Sequence, residues 1–356
     1  MDFPIFKTKM PGLTQKFDVN DPADRKKYFE AKVGPEIEKI RKYLETNTFV
    51  AYLLGKKNSG KGTYSKLFAE IIGSPNIGHV AVGDIVRDVH KSLENPVAKE
   101  ELIKFLEKNY RGFHSMDEII GLIEGRDQSN LISSELILAL LEYEISKRPR
   151  QALFIDGFPR AHDQVNYSLY LKKLIGYRED ADFFVFINLP NTVIDERIKY
   201  RVICPECKSP RNLKLFATKQ VGYDKDTQKF YLICDNQNCS QNGKARMVPK
   251  EGDELGIEPI RKRLEVDDEI FKKLLTLTGI PKIYLRNSMP VESAKESVDE
   301  YELTPVYSYE LQSDGTVKTI ETPWVIKDDE GVDSNSLLPA PVVVSFIKQL
   351  AQVLGL

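Results

Sequence analysis

Nine residues, Gly55-Lys-Lys-Asn-Ser-Gly-Lys-Gly-Thr63, carry the strongest chemical signal in the chain. They match G-x-x-x-x-G-K-[ST], with one glycine between Lys61 and Thr63. Glycines let successive backbone N–H groups close around phosphate oxygens, and a helix N-terminus behind them adds a favourable dipole. In this pattern Lys61 is expected to bridge β- and γ-phosphates, and Thr63 to hold Mg²⁺ or a phosphate oxygen. The plainer reading is a glycine-rich turn with a surface lysine. It loses ground because an apolar strand precedes the turn and a helix pattern follows it.

Two further motifs have the same logic. Asp156-Gly-Phe-Pro-Arg160 follows the apolar run ALFI, and Gly83-Asp84-x-x-Arg87 follows a second short run. In an open α/β sheet the carboxyl ends of the strands face the ligand crevice. Asp156 and Asp84 would then sit near a metal and phosphates, and Arg160 and Arg87 near an anionic second substrate. Taken alone, each is equally a strand-end turn with solvated charge.

All four cysteines lie between Cys204 and Cys239. Cys204-x-x-Cys207 and Cys234-x4-Cys239 form two knuckles, a pattern suited to tetrahedral structural zinc. Four unrelated buried thiols are the alternative. A chain this long does not need a disulfide framework. The four histidines, His79, His90, His114 and His162, stand at no ligand spacing and read as structural or surface residues.

These groups need a scaffold. Phe49–Gly55 is a continuous apolar run of the kind found in buried parallel strands, with a helix expected from about Lys61 to Ile72. Further strands are expected at His79–Val82, Ala152–Asp156 and Asp182–Leu189. Residues 98–129 hold two helical patterns, the second opened by a capping box at Ser115–Glu118. More helices are expected over 133–146, 257–275 and Val342–Leu354. The alternation predicts an α/β fold with a mainly parallel sheet. Residues 1–47 read as a charged leader with a helix from Lys26 to Leu44. Residues 202–250 read as an inserted β-rich module. Residues 290–336 read as an added hairpin, which the single Trp324 is expected to pack.

Composition narrows the setting. At roughly 100–200 residues per domain, 356 residues imply two or three units. Lys and Arg number 51 against 53 Asp and Glu, a net charge of −2, which argues against a nucleic-acid-coating or polybasic membrane protein. The most apolar stretches fall far short of the ~20 residues a spanning helix needs. The N-terminus lacks the apolar core of a signal peptide. A cytoplasmic protein is expected.

In family order, the G-x-x-x-x-G-K-G-T loop, the G-D-x-x-R turn and the D-G-F-P-R strand end resemble adenylate kinases and the wider nucleoside monophosphate kinases. The resemblance covers about residues 49–90, 130–200 and 244–275. It implies a phosphate-loop core over 48–201 and 251–356, an enlarged acceptor region over 84–150 and a zinc-binding lid over 202–250. It implies that Asn58, Ser59, Gly60, Lys61, Gly62 and Thr63 cradle ATP phosphates, with Arg197 and Arg201, where the lid opens, contacting ATP. Arg87 and Arg160 would clamp the AMP phosphate, joined by Asp84 and Gly157. Asn130, Leu131 and Ile132 would border the base, and Gln164 would read it. Arg246 and Arg263 would close over the transferring group with Lys61, Arg160 and Arg201. Thr63, Asp84 and Asp156 would be associated with Mg²⁺, and Cys204, Cys207, Cys234 and Cys239 would hold structural Zn²⁺. The implied activity is ATP + AMP ⇌ 2 ADP by a monomer with no nucleic-acid or membrane partner. The alternatives are a UMP/CMP or GMP acceptor, or a P-loop module whose zinc knuckle docks RNA or protein.

The chain also departs from the family pattern. Lys56-Lys-Asn-Ser59 replaces the usual Pro-Gly-Ala centre of the loop. Val82 stands where a threonine commonly contacts AMP. The paired aspartate of the lid is missing, with Glu251, Asp253 and Glu254 nearby. The leader and residues 290–336 have no family equivalent.

Overall fold

The computed structural model describes residues 3–124 and 132–356. From the N-terminus the elements run α1 (Pro22–Tyr43), β1 (Phe49–Leu54), α2 (Lys61–Ile72), β2 (Ile77–Ala81), α3 (Val82–Ser92), α4 (Pro96–Asn109), α5 (Met116–Glu124), α6 (Ser134–Ser146), β3 (Ala152–Asp156), α7 (Gln164–Leu174) and β4 (Ala181–Asn188). Next come α8 (Asn191–Lys199), β5 (Arg201–Ile203), β6 (Pro210–Asn212), β7 (Val221–Asp224), β8 (Lys229–Leu232) and β9 (Val248–Pro249). The chain closes with α9 (Arg261–Leu275), β10 (Lys282–Arg286), β11 (Ser288–Pro290), α10 (Val291–Ser297), β12 (Pro305–Leu311), β13 (Val317–Pro323), β14 (Val325–Lys327), β15 (Asp333–Ser336) and α11 (Pro339–Val353).

These elements form two compact units. The sheet unit comprises Phe29–Ile187, Glu265–Leu285 and Phe346–Leu356. Its five strands lie in the order β10-β4-β1-β3-β2. Every residue of β1 is buried, as a central strand covered on both faces requires. β1 pairs in parallel with β3 and β4, and β2 pairs in parallel with β3. The registers Leu53↔Asp156 and Ala81↔Asp156 bring the carboxyl ends of three strands level. The phosphate-type loop, the start of α3 at Val82 and Gly83, and Asp156 therefore emerge side by side.

Aromatic rings build the packing under this edge. Phe154 meets Phe49 edge-on at 5.5 Å, Phe68 at 5.4 Å and Phe346 at 5.8 Å between centroids. Such tilted pairs add to the area each ring buries. All four rings are fully buried.

Two elements refine the sequence-based expectations. The expected strand at His79–Val82 is Ile77–Ala81, and Val82 already opens α3. Val82, Ile85, Val86 and Val89 are buried at helical spacing, and that apolar stripe overrides the strand preference of the valines. Helix α1 is broken at Val33, where φ and ψ are −152° and 24°. Pro35 accounts for the break, since it lacks an N–H and its ring crowds the preceding turn.

The second unit comprises Met1–Tyr28, Asn188–Leu264 and Arg286–Ser345. Residues 290–336 hold more than a hairpin. Beside the antiparallel pair β12–β13 they contain α10 and most of a small sheet ordered β11-β15-β14. Trp324 is buried against Leu189, Val193, Ile194 and Ile198 around α8 and against Leu215, with Val306 of β12 at the margin. Its packing thus reaches well beyond the hairpin.

The leader and the 290–336 segment grip each other. The Thr8 and Lys9 amides donate to the Ser297 carbonyl at 2.9 and 3.0 Å. Glu302 is completely buried. Its carboxylate accepts from Thr8 Oγ1 at 2.6 Å, from the Asp299 amide at 2.6 Å and from the Tyr28 hydroxyl. Burial, reinforced by this carboxylate, holds the Tyr28 hydroxyl well above the usual tyrosine range. A buried carboxylate persists only when its lone pairs are filled this way.

Phe154→Ala should lower the unfolding free energy by about 3–5 kcal/mol through lost burial and the cavity left behind. The check is urea denaturation, with a lower midpoint and unchanged slope. An unchanged midpoint would remove Phe154 as the packing centre of the sheet unit.

Candidate active site

The loop after β1 has the backbone that phosphate binding demands. Gly55 has φ 156°, and a Cβ there would come within 2.8 Å of Ser59 Oγ and 2.9 Å of the Ile187 carbonyl. Gly60 has φ 97° and caps α2. Between them Asn58 takes φ 66°, a conformation that asparagine tolerates better than other side chains. No acidic residue lies in the first turn of α2, so the leading amides of that helix keep their positive end unneutralised. Ser59 Oγ is buried with no hydrogen-bond partner among the described residues.

Lys61 folds back over this loop. Its Nζ donates to the Gly55 carbonyl at 2.8 Å and the Lys56 carbonyl at 3.0 Å, and lies 3.8 Å from Asp156 Oδ1. The register of β1 and β3 creates that last approach. Asp156 is followed by Gly157, with φ 82°. The Arg160 amide donates to Gln164 Oε1 at 2.8 Å, and Gln164 is buried at the start of α7.

Arg87 pairs with Asp84 one turn away on α3, both side chains largely exposed. Asp84 is thus engaged locally, while Asp156 faces Lys61. Ile132 is half-buried just before Ser133, whose hydroxyl caps α6 by accepting from the Leu136 amide at 3.3 Å. Asn130 and Leu131 lie outside the described residues.

The remaining candidate arginines belong to the second unit. Arg197 donates to Asn287 Oδ1 at 3.1 Å. Arg201 makes a two-pronged pair with Asp253 at 2.6 and 2.7 Å, a geometry that fixes the guanidinium plane. Arg246 pairs with Asp224 at 2.6 Å and lies 4.2 Å over the Tyr231 ring. Arg263 is exposed in the first turn of α9. The role of Asp253 as the partner of Arg201 escaped the sequence reading. The only signal was an acidic cluster over residues 251–254, fifty residues downstream.

The four cysteines converge in this unit. Their Sγ atoms all lie within 4.8 Å of one another, with Cys204–Cys239 at 3.9 Å and Cys207–Cys234 at 3.7 Å. A tetrahedron with metal–sulfur bonds of about 2.3 Å has edges of about 3.8 Å, so the cluster fits Zn²⁺. These separations are far too long for disulfides. Burial pushes the Cys234 thiol up to about 12, while hydrogen bonds from Ser209 hold Cys207 down to about 6. One divalent cation would stabilise all four as thiolates.

Val202, Leu232 and Met247 pack around the cysteines, and Tyr309 of β12 joins them. The Tyr309 hydroxyl donates to the Leu213 carbonyl and its ring lies 5.5 Å from Phe230. The Tyr307 amide donates to the Lys214 carbonyl at 2.8 Å. The added hairpin therefore braces the cysteine module.

A parallel sheet with a glycine-lysine loop after its central strand, and an aspartate level with it on the next strand, defines a P-loop kinase fold. No protein-family model matches the chain. Curated relatives do. An adenylate kinase from Thermotoga petrophila is 28% identical over 221 residues, covering 61% of this chain and 80% of that one. One from Kosmotoga olearia is 31% identical over 187 residues, covering 52% and 70%. One from Solanum tuberosum is 31% identical over 157 residues, 43% of each. The chain belongs to the adenylate kinase family.

Metal analysis of purified protein should find about one zinc per chain, and a strong chelator should lower the thermal midpoint because metal binding is coupled to folding. Cys234→Ser should reproduce that loss. A midpoint that ignores both would exclude a structural metal.

Proposed function

We propose that this chain catalyses reversible Mg²⁺-dependent transfer of a phosphoryl group from ATP to AMP, giving two ADP. The observation that carries the reading is the pairing of Lys61 and Asp156 across adjacent strand ends, beside a loop whose backbone is open to phosphate. Family membership supports the same reaction class.

In this reading the loop Asn58–Thr63 holds the ATP phosphates. Lys61 exchanges the carbonyls of Gly55 and Lys56 for phosphate oxygens. Mg²⁺, arriving with ATP and held by Thr63 and Asp156 with Asp84 nearby, would neutralise charge on those oxygens. Arg87 and Arg160 anchor the acceptor phosphate, with Gly157 allowing close approach. Gln164, Ile132, Asn130 and Leu131 border the acceptor base. Arg246 in the lid, with Arg197, Arg201 and Arg263 in the segments that flank it, supplies positive charge. Arg201 must trade Asp253 for phosphate, as Arg246 must trade Asp224. No general base is needed, because the work is positioning and electrostatic stabilisation of the equatorial oxygens. Excluding water prevents it from competing as acceptor. Zn²⁺ in the four-cysteine site stiffens the lid and does no chemistry, since four thiolates leave no open position.

Val82 favours a second reading. It is buried at the start of α3, and its Cβ is 3.6 Å from where a Cβ on Gly157 would stand. An apolar methyl beside the acceptor motifs fits UMP, CMP or GMP as well as AMP.

A coupled assay across AMP, UMP, CMP and GMP separates these readings. ADP formation is expected with AMP. Turnover confined to another monophosphate would move the chain within the family. Tight RNA binding without turnover would replace catalysis by docking. Lys61→Met should lower kcat by about 10²–10³-fold, the loss typical of one charge-stabilising donor, with the thermal midpoint retained.

A further inference from the structure

The phosphate loop carries two lysines, Lys56 and Lys57, that the proposed chemistry does not use. A lysine is almost never buried without a partner, yet the Lys56 side chain is only 9% exposed. Its Nζ lies 3.5 Å from Asp268 Oδ2 on α9. At the next position the Lys57 backbone amide donates to Asp267 Oδ2 at 3.2 Å. Two consecutive loop residues thus meet two consecutive helix residues.

The contact reaches the catalytic lysine through one residue. The Lys56 carbonyl accepts from Lys61 Nζ at 3.0 Å and from the Ser59 amide at 3.1 Å. Lys56 is therefore the pivot of the loop: its carbonyl holds Lys61 while its side chain is tied to α9. The helix end of the tie is firm, because Ile270, Phe271 and Leu274 are buried and Phe271 meets Phe186 at 5.0 Å.

We propose that Asp267 and Asp268 are positioning residues for the phosphate loop, fixing it in the shape that receives the triphosphate of a nucleoside triphosphate. The pair touches neither substrate and acts through Lys56 and Lys57. The Lys56 ammonium is held toward α9 by this contact, which keeps its position in the loop fixed. Asp268 supplies counter-charge, and Asp267 ties the backbone of the next loop residue to the same helix. This inference rests on the phosphate-loop reading of Gly55–Thr63.

The test uses the full-length protein with zinc bound, in three variants: Asp267→Ala, Asp268→Asn and Asp268→Glu. ATP affinity is read by calorimetry, which needs no turnover, and KM is read for ATP and acceptor separately. Asp267→Ala and Asp268→Asn should each weaken ATP by about fivefold, the scale of one half-buried pair or hydrogen bond. Acceptor KM should hold within about twofold, and Asp268→Glu should recover most of the affinity. Unchanged or tighter ATP binding would overturn the proposal. So would equal losses on both substrates with a lowered thermal midpoint, which would mark a merely structural contact. Failure of the unaltered protein to bind ATP would overturn the phosphate-loop reading itself, and the proposal with it.

Discussion

A loop built on left-handed turns, with two of its amides already engaged by the Lys56 carbonyl and by Asp267, holds its shape only on a rigid base, and much of the sheet unit follows from that constraint. Gly55–Thr63 leaves the head of α2 uncapped by any acid and a buried hydroxyl at Ser59 unpartnered. Unpaired polar groups are costly away from water, so the loop needs a rigid frame that prevents collapse. The frame is β1, buried along its whole length, with rings of Phe49, Phe154, Phe68 and Phe346 packed beneath the sheet. Lys61 meanwhile caps two loop carbonyls. Its ammonium is satisfied locally and remains available to an anion that binds more strongly.

The same economy recurs among the arginines. Arg87, Arg201 and Arg246 each hold a carboxylate of their own unit, Asp84, Asp253 and Asp224. Each aspartate keeps one arginine extended and oriented within its own unit. Exchange of one anion for another costs less than desolvating a free charge.

Much of this scaffold was legible in the sequence, where apolar patterning is the dominant signal. FVAYLL and ALFID are buried strands that read as such, and the glycines between Leu54 and Lys61 mark the loop. The fifth strand, β10, was not. KIYLR alternates buried with half-buried positions at the sheet edge and carries a charge at each end, so it resembles a surface segment. Residues 290–336 misled for a different reason. β15 is DSNS, and three of its four residues are buried. Its burial is held by hydrogen bonds, including Ser336 to Asn287 and Asn335 to the Trp324 carbonyl. Hydrophobic periodicity does not report a core built from serine and asparagine. The pairing of Arg201 with Asp253 was hidden because it links residues far apart in the chain by charge alone.

The segments outside the family pattern are more than decoration. Four thiolates around one cation give a small module a centre but very little apolar core. Here the module gains one from the added hairpin, through Tyr309 on Phe230 and Tyr307 on Lys214. The hairpin segment is in turn tied to the leader through Glu302, which gathers Thr8, Tyr28 and Asp299 around a carboxylate removed from water. Leader, insert and cysteine module thus form one continuous chain of contacts within a single compact unit. A substitution at Glu302 would remove the acceptor shared by Thr8, Tyr28 and Asp299, and its effect would pass along that chain of contacts toward the cysteine module. The surplus length of this protein supports the four-cysteine module with packing that the cysteines alone cannot supply.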